Sequence, residues 1–136
     1  MAEMEFPFAT KNDIIEVDDL AYEDVPVKEW KRMVRLITLT GTQRDDFEAK
    51  SYVHRKGNRE MNLINFRARL LSLCLVGQDN KRLFPDVDVP LLGQKSASVL
   101  EPLFDKARAM NGMTDQDIEE LTEGFDGDPS EDSTSD

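Results

Sequence analysis

The 136-residue chain has one cysteine, one histidine, one tryptophan and no long apolar run. A lone thiol, Cys74, forms no internal disulfide, and Cys74 with His54 is too small a set of soft ligands for a zinc site. The longest apolar stretch, Leu70 to Val76, is broken by Ser72 and falls far short of the roughly 20 residues that span a bilayer. The N-terminus is acidic and carries no apolar leader region, so the chain is expected to be soluble and unprocessed. These shortages weigh against thiol, imidazole and metal chemistry. No catalytic residue, cofactor or metal site is expected.

Bases are scarce at both ends. Residues 1–24 hold eight acids against Lys11, and residues 114–136 hold ten acids and no base. The middle, 25–113, has 16 bases and 10 acids, while the whole chain is at −11. A basic middle between acidic ends allows nucleic-acid binding, with Arg55, Lys56 and Arg59 around Gly57 and Tyr52 nearby. No nucleic-acid module pattern is present, however, and acidic ends folding over the basic middle, within one chain or between neighbours, accounts for the same charges.

The length suits one domain, and the fold class expected is mainly α with a small β element: about four helices and a short N-terminal hairpin. Residues 1–12 show no sustained period and 124–136 are acidic and poor in apolar residues, so flexible ends are expected around a single helical domain at 13–123. Val25 to Val27 and Val34 to Thr40 read as two short strands. Thr42 with Asp45 suggests a helix start and Gly57 its stop, giving a helix over 43–56 with Phe47 and Val53 in the core. Residues 61–76 read as a central helix, because Asn62, Asn65, Arg69 and Ser72 form one narrow polar stripe and almost everything else is apolar. A turn over Gly77 to Lys81 then leads into an extended return at Arg82 to Phe84, and Pro90 limits 86–93 to a short helical turn.

Val99, Leu100, Leu103, Phe104, Ala107 and Met110 line one helical face, predicting a helix over 98–111 with Ser98 as N-cap and Glu101 completing a capping box. That assignment places Pro102 in the first turn. Thr114 with Asp117 starts a last helix, to about Glu123, which presents Ile118 and Leu121.

The acid pairs Asp18-Asp19, Asp45-Asp46 and Glu119-Glu120 sit at helix starts or on polar faces, where capping and solvation explain them better than general acid/base work. Asp126-Gly127-Asp128 lacks the ligand spacing and closing Glu of a calcium loop. His54 is expected exposed at a basic helix end, Cys74 buried and inert, and Trp30 packed at the hairpin end.

A succession of segments adds to this. Asp18-Asp19-Leu20, Val25-Pro-Val-Lys-Glu-Trp30, Arg35-Leu-Ile-Thr-Leu-Thr-Gly41-Thr-Gln-Arg-Asp-Asp-Phe47, Asn65-Phe-Arg-Ala-Arg-Leu70, Leu83-Phe84, Leu92-Gly-Gln-Lys-Ser96, Leu103-Phe104 and Met110-Asn-Gly112 together resemble the tail assembly chaperones of long-tailed bacteriophages. The resemblance covers roughly residues 13–123 and rests on order and spacing. It departs from the family where glycine usually follows the Glu-Trp pair, since Lys31-Arg32 stand there, and at Pro90, in a segment that is helical in relatives.

The resemblance implies a non-enzymatic chaperone that coats the tape measure protein and promotes tail tube assembly around it, acting in the host cell cytoplasm during infection and absent from the mature virion. It further implies a frameshift-extended form of the chain as partner, whose extension contacts the tail tube protein. Self-association is a further expectation, the short apolar run predicts no membrane contact, and the charge distribution disfavours nucleic acid as a partner. The partner-binding candidates are Ile118, Leu121 and Phe125, for which packing inside the domain is the competing reading. A structural virion component, such as a tail-completion or connector subunit, and a small nucleic-acid-binding regulator are the alternatives. A slippery heptamer near the 3′ end of the reading frame would separate the first reading from the others.

Overall fold

A computed structural model describes residues 5–113 of the chain. The fold is mixed α and β, as the sequence pattern implied. The first helix, α1 (Lys11–Glu16), is closed by a reciprocal capping box in which Thr10 Oγ1 accepts from Asp13 N–H and Asp13 Oδ2 accepts from Thr10 N–H, at 3.2 and 2.9 Å. It therefore begins two residues ahead of the expected domain boundary at 13 and buries no side chain.

Strand β1 (Tyr22–Val27) pairs antiparallel with β2 (Arg32–Ile37), Tyr22 facing Ile37 and Val27 facing Arg32. Between them lies a 3-10 turn at Lys28–Trp30, closed by Lys31 in the left-handed region at φ 54, whose N–H donates to the Lys28 carbonyl at 3.1 Å. Lys31 thus adopts the conformation that glycine adopts at no steric cost, and the turn survives without one. β1 is an edge strand, where Pro26 removes no ladder bond that a neighbour would need.

Helix α2 runs over Gly41–Lys50, earlier and shorter than the expected 43–56. Thr40, not Thr42, is its N-cap, in a capping box with Gln43 instead of Asp45. Ser51 ends it: the buried Ser51 hydroxyl donates to the Phe47 carbonyl at 2.8 Å, and the chain turns outward. Gly57 is then not a helix stop. Lys56 and Gly57, both at positive φ, form the two-residue turn of a hairpin between β3 (Tyr52–Arg55) and β4 (Asn58–Met61). Positive φ at both central residues matches the right-handed twist of the flanking strands, and Tyr52 and Val53 favour extended backbone over helix. Phe47 is buried as expected, whereas Val53 is only half-buried.

The expected helix over 61–76 is shorter as well. Met61 belongs to β4, Asn65 takes the left-handed region at φ 55, and α3 spans Phe66–Cys74 before the chain straightens into β5 (Leu75–Val76). Leu70, Leu71, Leu73 and Cys74 are buried, as the narrow polar stripe predicts. That stripe is a half-buried, hydrogen-bonded seam in which Ser72 is fully buried. Arg69 donates through Nη1 to the Ile64 carbonyl and through Nη2 to that of Asn62, and the buried Ser72 hydroxyl donates to the Arg69 carbonyl. β5 pairs antiparallel with β2, giving a three-stranded sheet in the order β1-β2-β5.

Beyond the turn at 77–81, a single bridge joins Arg82 to Val76. A 3-10 turn at Asp86–Asp88 then leads into α4 (Val89–Leu92), where Pro90 falls in the first turn and breaks nothing. α5 (Ala97–Met110) has Ser96, not Ser98, in the N-cap position; the two hydroxyls bond each other at 2.9 Å, and the Ser96 side chain makes no cap bond. Pro102 consequently lies in the second turn, on the exposed side and one turn beyond exposed Ser98 on the same face. The face from Val99 to Ala107 is buried against α3. Phe66 packs between Phe47 and Phe104 with tilted rings, centroids 5.3 and 5.7 Å away, so one aromatic cluster ties α2, α3 and α5. The expected helix over 114–123 lies outside the described residues.

Candidate docking groove

Ile118, Leu121 and Phe125, the sequence-derived candidates for partner binding, all lie outside the described residues. Within them a large apolar concavity lies elsewhere, a groove of about 650 Å³ between β2, the Leu83-Phe84 return and α4. Buried Leu75 and Leu92 form its floor, and half-buried Trp30, Val34 and Phe84 its walls. Met33, Leu83 and Leu91 are 64, 53 and 62% exposed along it. Its size is in the range typical of ligand pockets, yet it is an open trough. Arg32 and Lys95 are the charged residues that line it, with no acid among them.

The groove is shaped by polar clamps behind it. Arg82 donates through Nε to the Ser72 carbonyl at 2.9 Å and through Nη2 to the Phe84 carbonyl at 2.8 Å and to Asp86 Oδ1 at 3.0 Å. One guanidinium thus satisfies a last-turn carbonyl of α3, favourably placed against the helix dipole, and fixes the return that presents Leu83. The Arg82 guanidinium, and after it the Lys50 ammonium, holds the Asp86 carboxyl below its ordinary range. On the sheet, Arg35 grips Asp24 with Nε and Nη2 at 2.7 and 3.1 Å, reaches the Gln78 carbonyl and Asn80 Oδ1 through Nη1, and lies 3.9 Å over the Tyr22 ring. Its bonds depress the Asp24 pKa. The 77–81 turn is pinned to β2 by this single side chain.

A smaller cavity of about 240 Å³ opens on the polar seam of α3, lined by Asp46, Lys50, Asn65, Arg69 and Asp86 among others. Lys50 Nζ bridges the two carboxylates there, 3.2 Å from each, so they face a common cation and no nucleophile. Among the described residues no group of three or more His, Cys, Asp or Glu side chains is placed to hold a metal ion. No helix of the described residues is long and apolar enough to cross a membrane. Cys74 is buried, and desolvation pushes its thiol up to about 12.

His54 is exposed as expected, though on β3 opposite Arg59 and not at a helix end. Trp30 packs on the core at the hairpin end and also walls the groove. The groove residues escape a sequence reading because Met33, Leu83 and Leu91 sit in three short segments without helical period. The one signal is negative, an apolar residue in each segment that no neighbouring pattern claims. No family model matches the chain, nor does any curated protein or solved structure.

Proposed function

We propose that the chain is a non-enzymatic phage tail assembly chaperone that covers apolar stripes of the tape measure protein in the host cytoplasm and promotes tail tube assembly around it. The observation that carries this reading is the open groove that gathers three large, exposed apolar side chains, Met33, Leu83 and Leu91, around a floor of buried leucines. Such a trough accepts one face of an amphipathic helix, and a long helix-rich partner offers many such faces, so that many weak copies bind through avidity. The strong net negative charge keeps coated partners apart. Co-expression tests it. The tape measure protein should stay soluble with this chain and be pulled down by it, whereas Leu91→Asp should lose the partner; absence of binding by the unaltered chain would defeat the reading.

One observation favours the nucleic-acid alternative. The β3–β4 hairpin carries exposed His54, Arg55, Lys56 and Arg59 around its tip, with Arg59 lying 4.2 Å over the Tyr52 ring. Retention on duplex DNA that weakens steeply with salt and is lost in Arg55→Glu/Lys56→Glu would support that reading.

A further inference from the structure

We propose that the groove receives the N-terminal arm of a second copy of this chain, with residues 5–17 of one copy lying across Trp30, Met33, Leu83 and Leu91 of the next. The inference does not depend on the chaperone reading: the arm fills the groove when no amphipathic partner helix occupies it, and such a helix would compete with the arm for the same seat.

The arm is apolar and unpartnered. Every residue from 5 to 19 is exposed. Phe6 and Phe8 are 78 and 100% exposed, and Ile14, Ile15 and Val17 are all at 59% or more. Large side chains at that density are costly to leave in water. The arm is nonetheless locally organised: Pro7 restricts the backbone between the two phenylalanines, and the capping box closes α1, although an isolated helix of this length is marginal in water. The segment is shaped ahead of any packing partner.

Charge selects the groove as its seat. Glu5, Asp13, Glu16, Asp18 and Asp19 accompany the arm against a single base, Lys11. The groove is lined by Arg32 and Lys95 and no acid, and the adjoining turn adds exposed Lys28 and Lys31 against Glu29. Because residues 5–19 are all exposed, the arm does not lie on the groove of its own chain, which points to another copy. The arm joins the fold at Tyr22, opposite Ile37, and Val17 to Leu20 border a depression with Thr38 to Gly41. The groove lies beside Arg32 and Met33, at the other end of β2, about 17 Å away for a strand of this length. Arm and groove are different patches at opposite ends of β2, so two copies either exchange arms in a closed dimer or pair head-to-tail and continue from copy to copy.

The test uses a fluorescently labelled peptide of residues 5–17, titrated with the chain lacking residues 1–17, alongside sedimentation of both chains. Saturable binding is expected. Leu91→Glu and Met33→Glu, at exposed positions that leave the melt unchanged, should weaken binding by about tenfold or more. The full chain should sediment progressively faster with concentration while the truncated chain stays monomeric. If the truncated chain does not fold, full-length Phe6→Ser/Phe8→Ser replaces it and should remain monomeric. Three results would overturn the proposal: no peptide binding, equal binding by the groove variants, or a full chain that stays monomeric at all concentrations, which includes an arm folded onto its own groove. None of these measurements contains a tape measure protein, so their failure is separate from failure of the chaperone reading.

Discussion

Asn111 shows how much one side chain does in this fold. Its Oδ1 accepts from the Leu39 N–H at 2.7 Å, its Nδ2 donates to the Ala107 carbonyl at 2.8 Å, and its own carbonyl accepts from Arg44 Nη1 at 3.0 Å. It therefore ends α5 and joins that end to the strand and helix on either side of Thr40. Asn111→Ala leaves the partly buried Leu39 N–H without an acceptor, and a loss of about 1–3 kcal/mol is expected. Urea denaturation should read this as a lower midpoint at unchanged slope. Cys74 gives a second prediction at this scale. Because its thiol is buried and its pKa raised to about 12, a disulfide reagent at mildly alkaline pH should leave the native protein unmodified and react with one thiol per chain in denaturant. Rapid reaction of the native protein would mean that α3 is not the centre of the core.

At the scale of elements, α3 is the most demanding. Leu71 has no exposure and lies among Leu70, Leu73 and Cys74, so Leu71→Asp, burying a carboxylate without a cation, costs several kcal/mol and should abolish the cooperative melt. Leu63→Asp, at a residue 60% exposed, should melt like the unaltered protein. The importance of α3 was legible in the sequence because a long apolar periodicity survives any shift in the helix ends. So was the face of α5 from Val99 to Ala107. Less legible was where helix gives way to strand. Residues 52–61 carry no apolar period of their own, and Gly57 serves equally as a helix stop and as the second residue of a tight turn; only the backbone angle at Lys56 decides. Asn65 poses the same problem, since a left-handed asparagine delays the start of α3 without any change in composition. The groove was least legible of all, being assembled from single residues of β2, the return and α4.

For the molecule as a whole, acid should be the weak side. The carboxyls of Asp24 and Asp86 are held below the ordinary 3.8, by Arg35 in the first case and by Arg82 and Lys50 in the second. A depressed folded pKa means that the stabilisation is complete above the ordinary value and disappears as pH falls through the depressed one. The melting temperature should therefore be level from about pH 7 down to about pH 5 and drop below about pH 4, with a smaller drop in Asp86→Asn. Both pairs are exposed, so the effect is modest and reduced by salt. Removing residues 124–136, which offer only Phe125 to any core, should leave the melt and partner binding unchanged; loss of binding alone would place the grip in the acidic tail. The sheet, finally, has a consequence for the nascent chain. Its central strand, β2, takes its second neighbour from β5, about forty residues later, with Leu36 opposite Leu75. At synthesis rates of roughly 5–20 residues per second, that second neighbour is made about 2–8 seconds after the β1–β2 hairpin. Throughout that interval Val34 and Leu36 have no α3 to pack against, so the hairpin is the segment of the newborn chain most in need of protection, and a pause in translation between residues 40 and 75 would prolong its exposure.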